Sequence, residues 1–138
     1  MSAMIPDTYR DLIDGPVVVT LATVFPDGQP QTTPVWCSYN GKHVAVVTSR
    51  GLQKEKNMQA NPRVSMVALD PQDPYRYLEI RGTVTEITEA GALEKLNEHT
   101  KLYTGKPTYY GHIVPAEDEG SRIHVICKIR PIRVVTSG

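Results

Sequence analysis

Hydrophobic positions in this chain fall mostly in short runs of strand length, separated by Gly, Pro and Asn turn signals. Residues 17–24 are dominated by β-branched side chains and show no polar face, which predicts a strand buried on both sides. Pro26-Asp27-Gly28 marks a turn, and the strand expected over 31–38 should pair with the first as an antiparallel hairpin. Asn40-Gly41 then predicts a type I′ turn, with positive φ at both centres, leading into a strand over 43–48. Pro34 cannot donate to a ladder, so its strand belongs at an edge or carries a bulge.

Helical spacing is confined to a few stretches. Residues 6–13 predict a short amphipathic helix with Pro6 in its first turn and Gly15-Pro16 as its stop. A second short helix starts near Gly51 and ends at Asn61-Pro62, followed by a strand over 63–69. The longest strand spans 75–87: Leu78, Ile80 and Val84 share one face, and Tyr75, Tyr77, Glu79, Arg81 and Thr83 the other. Residues 89–103 predict the main helix, with Leu93, Leu96 and Tyr103 as its apolar stripe, Thr88 as N-cap and Gly105 as stop. Residues 106–120 form a long loop able to cover a site, and two last strands follow over 121–129 and 131–135. The sum is a mainly β fold: an antiparallel barrel of six or more strands with helices, an OB-type or other small barrel fitting the same pattern.

At 138 residues the chain suits one domain over 1–138. Its 15 Lys and Arg balance its 15 Asp and Glu, so no global field draws in nucleic acid or an anionic membrane, and any anion site must be local. A nucleic-acid-binding OB barrel would need a basic aromatic groove, which this balance argues against. Cys37 and Cys127 lie far apart, and His43, His99, His112 and His124 lack ligand spacing, so no metal site is expected. With neither a signal peptide nor a long apolar segment, a soluble cytoplasmic protein with reduced thiols is expected. Dinucleotide, Walker and nucleophile-elbow motifs are all missing, and there is no internal repeat.

Candidate chemistry concentrates at residues 48–65. Gly51 permits close approach of backbone to a ligand, and the opening amides of a helix favour an anion such as phosphate. Arg50 and Lys54 stand about one turn apart, a like-charge spacing that costs roughly 0.2–0.5 kcal/mol in an isolated helix and that a bound anion would reverse. Arg50, Lys54 and Lys56 also fit a simple solvated helix face, partly offset by Glu55.

Several segments carry a family resemblance in their order and spacing: 17–24, Asp27-Gly28-Gln29-Pro30-Gln31, Thr33-Pro34-Val35-Trp36, Gly51-Leu52-Gln53-Lys54 with Asn57, Asn61-Pro62-Arg63-Val64-Ser65, and 73–82. Together they resemble the flavin/deazaflavin split-barrel proteins related to pyridoxamine 5′-phosphate oxidase, and within them the F420-dependent reductase branch. The resemblance implies an FMN-binding-type split barrel, homodimeric, with cofactor sites at the subunit interface. It implies that Thr33, Pro34 and Val35 run along the cofactor ring, largely through backbone atoms, while Thr48, Ser49, Gln53 and Lys54 hold the phosphate-bearing tail beside Arg50 and Gly51. Tyr77 would approach the ring from the same or the partner chain, and Trp36 fits either a ring neighbour or a buried barrel aromatic. One departure stands out: many relatives carry arginine where this chain has Leu52, leaving Arg50 or Lys56 to replace that phosphate ligand.

The implied cofactor is coenzyme F420, with FMN as the alternative, since both are anionic at the tail. The implied activity is hydride transfer between a deazaflavin and a small organic substrate. No side chain is assigned as catalytic; solvent, Tyr77, Tyr109 or Tyr110 could supply a proton. A non-catalytic flavin-binding carrier is the rival reading.

Overall fold

Alternating burial along seven antiparallel strands builds the framework, and the computed structural model describes residues 2–138 of it. The strands are β1 (Val19–Val24), β2 (Pro30–Val35), β3 (Ser38–Tyr39), β4 (Val44–Ser49), β5 (Arg63–Asp70), β6 (Asp73–Thr88) and β7 (His124–Ser137). Their order is β2-β1-β5-β6-β7-β4-β3, with every pairing antiparallel. The outermost strands β2 and β3 are separated in sequence only by Trp36 and Cys37. A trans peptide chain advances at most about 3.8 Å per residue, so the sheet must curl until its two edges stand side by side. The result is a barrel split along one seam. Tyr103 pins that seam: its hydroxyl accepts from the Cys37 amide at 3.1 Å and donates to the Val17 carbonyl at 2.9 Å.

The helices are α1 (Asp11–Asp14), α2 (Gln53–Ala60) and α3 (Ala92–Thr104). The expected N-terminal helix is broken into a 3-10 turn over Asp7–Tyr9 and the single-turn α1, whose Leu12 and Ile13 enter the core. Arg76 fastens this segment through Asp11 (2.8 and 2.9 Å), Asp70 (3.0 Å) and the Thr8 carbonyl (2.6 Å). Gly51, at φ 88°, supplies the left-handed turn before α2, which ends at Asn61 as expected. A buried polar ladder holds α2 to the barrel. Gln53 donates to Asn57 (2.8 Å), Asn57 to Thr23 (3.0 Å), and Thr23 to Gln31 (3.3 Å).

Several sequence expectations are corrected. β1 is not buried on both sides: Val19, Leu21 and Thr23 face the core, while Thr20 is exposed and Ala22 and Val24 half-buried, because no second layer covers that face. The Asn40-Gly41 turn is not type I′, since only Gly41 has positive φ. Asn40 instead accepts from the amides of Lys42 (2.9 Å) and His43 (2.7 Å) through its side chain, an Asx-type turn. The expected strand over 31–38 breaks at Trp36-Cys37, where the chain crosses the seam. Pro131 does not divide the last strand. Gly82 pairs with Pro131 and Arg81 with Arg133, so Ile132 is an extra residue and the proline sits at a β-bulge. Val84 shares the core face with Leu78 and Ile80 as expected, though only half-buried, and a second irregularity between Val84 and Glu86 shifts the phase of β6 beyond it, so that Ile87 is the next residue packed against the core.

α3 begins at Ala92 with Gly91 as its N-cap residue, not Thr88, whose hydroxyl accepts from the Ala90 amide in a local turn (3.3 Å). Its buried face is Ala92, Leu96, His99 and Thr100; Leu93 is 36% exposed and lies off that face. Gly105 ends the helix in the left-handed conformation, as expected.

Candidate functional site

Two adjoining cavities lie between the β2–β4 side of the barrel, α3 and the 106–120 loop. The first, about 350 Å³, is bounded by Pro34 and Val35 of β2 and Trp36 just after it, and by Leu96, His99 and Tyr109 opposite. Trp36 stacks on Tyr103 with centroids 5.4 Å apart and meets Tyr109 edge-on at 6.5 Å, so flat aromatic surface dominates this end. The second, about 320 Å³, is bounded by Thr48 and Ser49 of β4, Lys54 of α2, Tyr110, Arg122 and His124. Val47, Lys54, Leu96 and Tyr109 border both cavities, which makes them one slot with an apolar aromatic end and a polar end.

The polar end is cationic and incompletely paired. Lys54 forms no ion pair with any described residue, and burial pulls its ammonium below the ordinary lysine range. Arg122 is unpaired in the same sense, although Asp118 borders the cavity. Thr48 Oγ1 is buried without a hydrogen-bond partner, and so is Thr33 Oγ1 beside Pro34. Orphaned buried hydroxyls cost stability unless something fills them, and Thr48, which borders the polar cavity, marks a place for a polar ligand, whereas Thr33 lines neither cavity. At the apolar end His99 bonds Ser38 Oγ at 2.9 Å, and burial pulls its pKa down to about 4, which keeps it neutral.

Of the residues expected at the site, Pro34, Val35, Thr48, Ser49 and Lys54 border the slot; Thr33 precedes Pro34 in β2 but lines neither cavity. The others do not border it either. Arg50 is held by Glu55 (3.6 Å) and Glu89 (3.3 Å), and Gly51 gives its amide to the Glu55 carboxylate at 2.9 Å. Gln53 is spent on Asn57 in the buried ladder, and Tyr77 lines neither cavity. Lys56 is exposed and also lines neither, so the second cation at the polar end is Arg122, not Arg50 or Lys56. By sequence Leu96 is only part of a helix stripe, Tyr110 only a possible proton source and His124 only an unlikely metal ligand, and Arg122 is not singled out; the one available signal was the long loop over 106–120, which holds Tyr110 and ends just before Arg122 and His124.

A slot with a flat aromatic end, a cationic end and the vacant Thr48 hydroxyl fits a planar ring carrying an anionic tail. Curled antiparallel sheet and slot together define a flavin-type split barrel. Residues 5–135 match the family described as pyridoxamine 5′-phosphate oxidase, and the chain belongs to that family of oxidoreductase-type proteins with flavin-type cofactors. Among solved structures, one named as an F420 reductase is 33% identical over 95% of this chain and 98% of its own, with a TM-score of 0.80. A conserved hypothetical protein of Mycobacterium tuberculosis is 27% identical over 99% of this chain and 86% of its own, with a TM-score of 0.76. HupZ of Group A Streptococcus, 20% identical over 96% and 94% with a TM-score of 0.68, shares the fold. A comparison with curated proteins finds no match. Among the described residues no helix is long and apolar enough to cross a membrane, and no cluster of His, Cys, Asp and Glu could hold a metal.

Proposed function

We propose that this chain is an F420-dependent oxidoreductase that passes hydride between the deazaflavin and a small organic molecule with an activated double bond. The observation that carries the reading is the unpaired, partly desolvated Lys54 between an aromatic cavity and a polar one, next to the orphaned Thr48 hydroxyl. Pro34, Val35 and Trp36 would flank the ring, while Lys54, Thr48 and Ser49 would hold the tail phosphate. Likeness to the structure named as an F420 reductase supports F420 over FMN.

When bound, a reduced deazaflavin supplies hydride. The chain's own part is to fix ring and tail, to exclude water with Trp36 and Tyr109, and to keep His99 neutral beside the reacting space. The site is proposed to lie at the interface of a homodimer, with Tyr77 of one chain approaching the ring held by the other. FMN is the second reading, favoured by the family match.

Absorption titrations with F420 and with FMN separate the two readings, because each chromophore changes its spectrum on binding. Tight binding of F420, followed by oxidation of its reduced form on adding quinones or enones, is the expected result. Tight binding of FMN alone would replace F420 as cofactor. Tight binding without turnover on any acceptor would make the protein a carrier.

A further inference from the structure

Ser49, His124 and Tyr110 form a hydrogen-bonded chain in the wall of the polar cavity. Tyr110 Oη lies 2.6 Å from His124 Nε2, and His124 Nδ1 lies 3.1 Å from Ser49 Oγ. Ser49 is 4% and Tyr110 9% exposed. His124, Tyr110 and Arg122 also border a further cavity of about 310 Å³ that opens beside Glu89 and Glu119, so the chain of bonds runs through the partition between two hollows.

The direction of these bonds follows from satisfiability. The Tyr110 hydroxyl has no other partner among the described residues. Were Nε2 to carry the ring proton, the phenol hydrogen would be left without an acceptor in a nearly closed place, at a cost of about 1–3 kcal/mol. Tyr110 therefore donates to Nε2, and the neutral ring keeps its proton on Nδ1, from which it donates to Ser49. Ser49 is then an acceptor from His124, and its own hydrogen is free for an acceptor in the polar cavity.

Resting on the reading that this cavity holds the cofactor's phosphate, we propose that His124 is a positioning residue that, held by Tyr110, makes Ser49 a hydrogen-bond donor to that phosphate. The imidazolium form keeps the Nδ1 donor and adds a charge, but its Nε2–H then donates to Tyr110 Oη and turns the phenol hydrogen toward the adjoining cavity; binding draws a proton onto His124 against that cost. Burial first and Arg122 second hold the cofactor-free ring below the ordinary histidine range, with the Thr48 backbone partly opposing them. Lys54 and Arg122 face the ring's surroundings as cations and oppose protonation; Glu89, Asp118 and Glu119 favour it. A bound phosphodiester, which keeps one charge throughout, tips this balance, so F420 affinity rises as pH falls through the titration of His124, whereas a monoester such as FMN takes up its own second proton at about pH 6 and opposes the rise.

Binding is read by spectral titration with FMN and with F420, and by displacement with inorganic phosphate, on wild type and four variants from neutral pH down through the acid range in which His124 titrates. Ser49→Ala and His124→Ala should each weaken binding by about tenfold, the scale of one hydrogen bond to a charged group. His124→Asn places an amide nitrogen where Nδ1 stands, so it should bind nearly as wild type at neutral pH yet lose the pH dependence. Tyr110→Phe should weaken binding less than His124→Ala, and 15N spectra should show the cofactor-free ring protonated on Nδ1 in wild type. A ring protonated on Nε2, or His124→Asn as weak as His124→Ala, overturns the proposal. Wild type binding none of the three probes removes the phosphate site itself; tight wild-type binding matched by all four variants leaves the site standing and removes only the role of His124.

Discussion

Lys54 and Arg50 stand close in sequence, carry the same charge, and do different work. Arg50 neutralises Glu55, which is 4% exposed and would otherwise be a costly buried carboxylate. Lys54 has no such partner and borders both halves of the slot. Lys54→Ala should therefore weaken cofactor binding by roughly 1.5–3 kcal/mol, the loss of a charge-assisted hydrogen bond, without unfolding the chain. Unchanged affinity in a fluorescence titration would remove Lys54 from the site. His99 gives the residue-scale pH prediction. Its folded pKa, near 4, lies below the 6.5 of an exposed histidine, so below pH 6.5 the unfolded chain binds a proton that the folded chain refuses. Its contribution is intact above pH 6.5 and falls away as the pH drops toward 4, by at most about 3 kcal/mol. Denaturant midpoints measured down the acid limb should flatten in His99→Gln; an identical slope would assign the acid sensitivity to other groups.

The elements show why part of this architecture could be read from sequence and part could not. Strand positions, the helix stop at Asn61 and the αL end of α3 at Gly105 follow from local rules, and the sequence carries them. Pro131 misled because a proline ends a strand by local rules, whereas here the bulge at Ile132 absorbs it, a property of its pairing with β6. Asn40 misled because its side chain offered the backbone a competing turn. The polar end of the slot was legible in part, since Lys54, Thr48 and Ser49, which the sequence singled out, border it. Arg122, Tyr110 and His124 reach the same cavity only through the β4–β7 pairing of Ser49 with His124, a contact across 75 residues. Gly82 belongs to this long-range class. A Cβ there would stand 2.6 Å from Ile129 Cγ2 and 2.9 Å from the Arg130 carbonyl. Gly82→Ala should cost about 1–3 kcal/mol by overpacking the β6–β7 ladder, seen as a lower melting temperature; a melting temperature equal to wild type would mean that the bulge relaxes freely.

As a whole molecule the chain has a feature that cavities and ion pairs alone do not explain: the aromatic end of the slot lacks an outer wall. Val18, 53% exposed, and Pro34, also exposed, border the first cavity yet face solvent. Net charge is zero, so two copies meet without overall repulsion. The proposed homodimer would supply the missing wall and would bring Tyr77 of one chain toward a ring held by Lys54, Thr48 and Ser49 of the other. Light scattering should then report twice the 15.3 kDa chain mass. A stricter prediction uses complementation. Lys54→Ala and Tyr77→Ala homodimers should each bind cofactor poorly, since each damages both sites. Mixed after unfolding and refolding, they should form heterodimers in which one site carries both changes and the other carries neither. Random pairing would restore wild-type affinity to roughly a quarter of the sites, readable as a tight phase in the titration. If the two residues serve a site within one chain, mixing restores nothing, and the shared-site reading falls while the binding role of Lys54 stands.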